Sequence, residues 1–453
     1  MKINKLKIEK LHGYIDKDIS FKNDMSLLVG INGSGKTSIL NVINWLLSPS
    51  LPHICVTEFE LIKMTLTFEE TEYIIQCRYI ERTLNYTITK SGKDYHPLVI
   101  RLDALPREIR NDDALKAKLI ESYSRLTPDE KEQETWGILT SLPSPNIIGL
   151  DRSLYTEESN TKVFYDDGIG HRLLRKKNKS TKSPTDRVKD LINLEYRKRR
   201  NSVLKLTNKL KNQLMLSTFD GNININSLVS GTRYKLTLKQ IQDAEKRVND
   251  YFTNFEKEAL SKNNLKIINN YFSELKKITQ EYQKDPKSET TKLLYGLNAN
   301  QFIKIRKLLK EFEKFEEDSN MEMIEIETYL DTINHFLTDS AKRVLFKEDT
   351  SEISFHTLDR KGKEVTKFKD IKFLSSGEQQ ILILFAYVAF NSGDGKIFII
   401  DEPELSLHVK WQEDFLEQLE KITPKSTQLI LATHSPILAH KKRENSITLL
   451  PYN

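Results

Sequence analysis

The sequence predicts an α/β fold: one head split by a largely helical insertion, with an antiparallel β-subdomain attached. Three observations predict it. VGINGSGKTSIL, residues 29–40, sets a glycine-rich turn between an apolar strand and an amphipathic helix. KIFIIDEPELSLH, residues 396–408, is an apolar run ending in adjacent acids near the far end of the chain. Between them, from Asp186 to about residue 345, apolar residues recur at helical spacing.

Taken in order, INKLKIEKL alternates as a strand, DISF marks a second and SLLVG a third, buried one. KTSILNVINWLL follows as a helix with Ile39, Leu40, Ile43, Leu46 and Leu47 on one face. LIKMTLTF, EYIIQCRYI, LNYTITK and PLVIRL, within residues 61–102, read as a β-meander. Residues 104–135 look helical, and PNIIGLDRS, residues 145–153, reads as a strand entering a polar loop. The polar, turn-rich stretch after residue 156 reads as a flexible link. The helical region is expected to break near Gly221, Gly231, Asp285–Pro286 and Gly296. Without a sustained heptad it suggests compact helical hairpins more than a coiled-coil rod. ISFHTLD–RKGKE–V then forms a hairpin, followed by helix, strand, helix and two strands. The expected divisions are 1–150, 151–186, 187–345 and 346–453.

Composition narrows the class. The chain has 453 residues, 38% hydrophobic and 30% charged, with a net charge of +6. No run of eighteen apolar residues suggests a membrane span, and MKINKLKIEK lacks the apolar core of a signal peptide. Cys55 and Cys77 cannot build a disulfide framework. The expected compartment is the cytoplasm.

The turn Gly30-Ile-Asn-Gly-Ser-Gly35-Lys36-Thr37 matches G-x-x-x-x-G-K-[ST] in a strand–helix context. Its backbone N–H groups, from Asn32, Gly33, Ser34, Gly35 and on to Ser38, are expected to cradle phosphates at a helix N-terminus. Lys36 would reach the β- and γ-phosphates of ATP, and Thr37 would hold Mg²⁺. Asp401 is the second expected Mg²⁺ residue and Glu402 the base that orients water. Either acid could instead be an ordinary helix cap after a core strand.

LSSGE, residues 374–378, opens an apolar helix, and Ser375, Ser376, Gly377 and Glu378 are expected nucleotide contacts; an ordinary serine N-cap is the plainer reading. QLILATHSP delivers His434 at the end of a strand, where it can meet a γ-phosphate or serve as a satisfied structural histidine.

Together these motifs resemble the ABC-type ATPase heads of the SMC, RecF and OLD families, whose two lobes flank a helical insertion. The resemblance covers residues 1–102 and 351–450. It implies that Ser375 and Gly377 act in trans on ATP bound by a second copy, and that Leu405-Ser406-Leu407-His408 is a D-loop. Leu11 and His12 stand where relatives carry an aromatic and a basic residue, and the segment around Arg152 is the place for a Q-loop. The sequence ends at LLPYN soon after His434, where OLD nucleases carry a Toprim domain, and no hinge or CxxC hook of a long SMC rod is visible. The chain looks most like the ATPase subunits of bacterial anti-phage systems of the Septu (PtuA) and PARIS (AriA) kind. That likeness implies a homodimer or larger homo-oligomer, such as a ring or horseshoe, that controls a separate nuclease of HNH or Toprim type. A RecF-like DNA-repair clamp is the competing reading; a transporter ATPase is disfavoured by the insertion.

Positive charge concentrates at Arg175, Lys176 and Lys177 in the expected link and at Arg197, Lys198, Arg199 and Arg200 on an expected helix. Such a cluster can neutralise nucleic-acid phosphates or form a solvated or protein-docking face.

Overall fold

In the computed structural model, described for residues 1–149, 154–155, 183–218, 236–255, 262–391, 395–405 and 407–450, the described strands fall into three sheets. The chain divides into two units, Met1–Tyr196 with Glu325–Asn453, and Arg197–Ile324.

The first unit contains all three sheets. Its central one has the order β10-β9-β14-β15-β3-β16, built from β3 (Met25–Val29), β9 (Asn146–Ile148), β10 (Leu154–Tyr155), β14 (Ile397–Asp401), β15 (Gln428–Thr433) and β16 (Ser446–Thr448). Pairing is parallel except between β9 and β10. β14 and β15 are buried at every position, as parallel strands covered on both faces must be, so they read as continuous apolar runs. The register sets Val29 beside Thr433 and Asp401 beside Ala432. The carboxyl ends of three adjacent strands therefore finish together, where open α/β sheets place their ligands.

The helix α1 (Lys36–Leu47) starts after Gly35, whose φ of 89° is left-handed and disfavours any side chain. It buries Ile39, Leu40, Val42, Ile43, Leu46 and Leu47. A short α2 (Leu51–Val56) follows.

The second sheet is antiparallel: β1 (Lys2–Leu11), β2 (Ile15–Ser20), β4 (Leu61–Phe68), β5 (Thr71–Ile80), β6 (Thr83–Lys90), β7 (Lys93–Asp94) and β8 (Leu98–Arg101). Alternate residues of β4, β5 and β6 are buried, the signature of a sheet with one wet face. Gln428 joins the two sheets: its amide accepts from Ile3 N at 2.7 Å and donates to Ile3 O and Lys22 O at 2.9 and 2.8 Å. Between 104 and 141 lie α3 (Asp113–Tyr123) and α4 (Gln133–Ser141), shorter than the expected helical stretch.

The third sheet, β11-β12-β13, comprises β11 (Lys342–Phe346), β12 (Ile353–Leu358) and β13 (Glu364–Lys369). β12 and β13 form the expected hairpin; β11 lies within the stretch expected to be helical. Then come α9 (Ser376–Asn391), β14, α10 (Val409–Ile422), β15, α11 (Pro436–Lys441) and β16.

The insertion differs from expectation in two ways. Its limits fall inside helices, at 196/197 and 324/325, rather than at 187 and 345. Those helices are long: α5 (Pro184–Thr218) has 35 residues and α8 (Glu289–Leu337) has 49. Gly296 lies within α8, so it breaks nothing; a helical glycine costs only about 1 kcal/mol, and its neighbours Tyr295 and Ala299 are buried in the core of the second unit. The break at Asp285–Pro286 is real, separating α7 (Lys262–Lys284) from α8. With α6 (Leu238–Phe255) these helices bury Ile241, Phe272, Leu275 and Phe302. Gly221 and Gly231 lie outside the described residues.

Candidate functional site

The expected phosphate loop, acid pair and histidine meet at the strand ends. Lys36 is 4% exposed. Its Nζ donates to Gly30 O at 2.8 Å and Ile31 O at 3.2 Å, and lies 3.3 Å from His434 Nδ1. Burial lowers the Lys36 pKa, while Glu402, Asp401 and Glu404 oppose the shift. An ammonium only donates, so Nδ1 of His434 accepts, and the ring proton falls on Nε2. That nitrogen faces Glu402 Oε1 at 3.4 Å.

Thr37 Oγ1 donates to Asp401 Oδ2 at 3.0 Å. Asp401 Oδ1 is buried without a hydrogen-bond partner. Burial raises the Asp401 pKa, the Thr37 bond opposes this, and the Glu402 charge adds to it. An orphaned buried carboxylate oxygen beside a threonine hydroxyl fits a hard cation. Among the described residues no three His, Cys, Asp or Glu side chains could hold a metal. Mg²⁺ here would draw on Thr37, Asp401, phosphate and water, its usual coordination in such sites.

Glu402 has φ 48°, a strained setting for a non-glycine residue before proline. Its N–H donates to Ala432 O at 2.8 Å, which ties the strained residue to β15. Sequence reasoning missed Glu404. Its Oε1 accepts from the backbone N–H groups of His434 at 2.6 Å and Ser435 at 3.0 Å, while Oε2 is buried and unpartnered. The repeated acid in DEPE was the available signal.

Loop packing explains the glycines. A Cβ on Gly30 would lie 2.4 Å from Ser34 Oγ and 2.7 Å from Leu449 O, so only glycine lets the loop close. Ser34 Oγ is itself buried without a partner. Asn32 and Gly33 are exposed, as is Thr37 in the first helical turn, and Ser38 is half-buried.

The LSSGE segment is a capping box at the start of α9. Ser375 N donates to Glu378 Oε2 at 2.7 Å, and Glu378 N reaches Ser375 Oγ at 3.4 Å. Lys342 Nζ holds both Glu378 oxygens, at 2.9 and 2.7 Å. Burial alone would raise the Glu378 pKa, but Lys342, Ser340 and the Ser375 N–H together bring it below the ordinary value. Glu378, one of the expected nucleotide contacts, braces the turn from inside. Ser375 and Ser376 are exposed, and Gly377 half-exposed.

Other expectations land as follows. Leu405 is 44% exposed, and His408 caps α10 through Lys410 N; Ser406 lies outside the described residues. So do Arg152, Arg175, Lys176 and Lys177. Arg197, Lys198 and Arg200 are exposed on α5, and Arg199 Nη1 donates to Glu322 O at 3.3 Å. Leu11 is buried, and His12 occupies the turn after β1 with φ 55°.

A phosphate loop, a threonine–aspartate pair fit for a metal and a carboxylate–histidine contact at the ends of adjacent parallel strands define a P-loop ATPase. A profile described as the AAA ATPase domain matches residues 1–439, and the chain belongs to that family. The probable ATPase of retron Ec83 from Escherichia coli is 41% identical over 88 residues, 17% of this chain and 16% of its own. That of retron Vc95 from Vibrio cholerae serotype O1 biovar El Tor is 34% identical over 94 residues, 18% and 17% of the two chains. The DNA replication and repair protein RecF of Oenococcus oeni is 29% identical over 93 residues, 20% and 25%. The matches thus span a quarter or less of these relatives. A solved SMC head bound to the C-terminal winged-helix domain of ScpA aligns over 97% of this chain and 92% of its own, at 12% identity and a TM-score of 0.37. No described helix is long and apolar enough to cross a membrane.

Proposed function

We propose that this ATPase is the sensor and scaffold subunit of a bacterial anti-phage system, which oligomerises through its heads and controls a separately encoded nuclease. In this reading ATP lies on the phosphate loop, Lys36 binds its terminal phosphates, and Glu402 orients the attacking water. His434, held by Glu404, contacts the γ-phosphate. Mg²⁺, when bound by Thr37 and Asp401, neutralises charge developing between the phosphates.

The observation that carries oligomerisation is the Ser375 turn. Glu378 and Lys342 brace it from inside, while Ser375 and Ser376 face outward. Such a turn is ready to meet a nucleotide held by a second copy. The two retron ATPases among the relatives support the defence reading. Purification with neighbouring gene products tests it: a stable complex with a nuclease is the expected result.

The RecF relative favours a second reading, an ATP-driven DNA clamp. Duplex DNA binding by the chain alone, dependent on ATP and without any nuclease partner, would establish that one instead.

A further inference from the structure

The three-stranded sheet carries a surface that the nucleotide site does not use. The turn before β13 and β13 itself, residues 359–369, are exposed except for Thr366, and among the described residues no strand covers the outer edge of β13. Arg360, Lys361, Lys363 and Lys369, with Lys372 just beyond, are exposed. None of them forms an ion pair among the described residues. Nearby acids are already engaged. Asp359 Oδ1 accepts from the backbone of Lys361 and Lys363, both at 2.8 Å. Glu364 lies 2.9 Å from His356 Nδ1 and 3.5 Å from Lys367 Nζ, and Asp370 pairs with Lys189 at 2.6 Å. The outward charge is therefore positive.

Two rings stand among these cations. Phe368 is 45% exposed and Phe373 67%. Lys347 Nζ lies 5.8 Å from the first ring centre and Lys372 Nζ 5.2 Å from the second. Phe368 has a left-handed φ of 53°, a strained conformation for a bulky residue. It sits where the β12–β13 register shifts between the pairs Phe355↔Lys369 and Thr357↔Thr366. Such a bulge re-aims side chains. Lysines on an exposed edge commonly guard against strand pairing. That role explains neither two exposed phenylalanines nor the strained backbone at one of them.

We infer that this hairpin, together with Phe373, binds single-stranded nucleic acid, its cations on phosphates and its two rings stacked on bases. Lys347 beside Phe368 is paired with Glu352 at 3.8 Å, but Lys372 beside Phe373 matches the phosphate and base that a nucleotide presents. A duplex keeps its bases stacked inside and offers these rings nothing. The inference is independent of the proposed role of the ATPase site.

Fluorescence anisotropy with the whole chain and labelled oligo-dT of about 20 nucleotides, from about 50 to 200 mM salt, tests it. Five phosphate contacts give a log–log salt slope of about −3.5, at about −0.7 each. The triple variant K361E/K363E/K369E is expected to lose at least about tenfold in affinity and to flatten the slope. Phe373→Ala removes an exposed ring, so it should fold normally; it is expected to lose about tenfold and leave the slope unchanged. Both should keep their melting temperature and ATP turnover. Unchanged oligo-dT affinity in both variants overturns the inference. So does equal displacement by poly-glutamate, which would mark a docking face for an acidic protein. Loss of self-association with oligo-dT binding intact would mark an interface between copies, and also overturns it.

Discussion

The Thr37 hydroxyl donates to Asp401 Oδ2 across 3.0 Å, although 364 positions separate the two residues. The bond exists because β3 and β14 both flank β15 in parallel register, so the helix after one and the acids after the other emerge at the same sheet end. It leaves Asp401 Oδ1 buried and unpartnered.

Lys36→Ala removes the one lysine that the loop buries. Charge-assisted bonds to phosphate contribute roughly 1.5–3 kcal/mol, so ATP affinity should fall by about 10- to 100-fold in titration calorimetry. Unchanged affinity would remove the phosphate loop from the site.

Glu402→Gln should slow hydrolysis by about 10²- to 10⁴-fold, the usual contribution of a general base, while nucleotide still binds. Light scattering should then detect a long-lived ATP-bound dimer. A monomer at saturating ATP would count against closure between heads.

Glu404 separates hydrogen bonding from charge. Glu404→Ala leaves the backbone N–H groups of His434 and Ser435 without their acceptor, and turnover should fall by about tenfold or more, with ATP affinity little changed. Glu404→Gln keeps an acceptor oxygen and should recover most of the loss. Equal damage from both would show that the charge matters instead.

Lys342→Met strips the partner from a carboxylate that is 3% exposed. Breaking a buried pair costs about 3 kcal/mol, readable by urea denaturation at neutral pH. The Glu378 pKa is lowered in the folded state, so the stability it contributes is present above the ordinary carboxylate value and is lost as pH falls through the lowered one. The gap between wild type and Lys342→Met should therefore narrow on acidification. A gap that stays constant with pH would mean that packing, and not the ion pair, is at stake.

Gln428 is fully buried and joins β15 to the first strand of the antiparallel sheet. Gln428→Leu would orphan Ile3 N–H and two carbonyls, costing about 3 kcal/mol. A melting temperature within a degree or two of wild type would contradict that role.

The sequence by itself determined what local spacing encodes. Gly35 needs a left-handed φ, and β14 and β15 must be covered on both faces. The strand–turn–helix at residue 30 and the acid pair at residue 401 follow from such rules, as does the meander of β4, β5 and β6. Tertiary structure alone decided which distant groups meet. Ser375 and Glu378 carry a capping box that any helix could use, and only Lys342, brought in on β11, turns the glutamate into an internal brace. Glu404 became the holder of His434 because β14 and β15 lie side by side. Gly296 stayed helical because the core around Tyr295 and Phe302 outweighs its weak helix propensity. Backbone preferences act over a few residues and can be read in order; hydrogen bonds across hundreds of positions depend on strand order and register, which no short stretch of sequence contains.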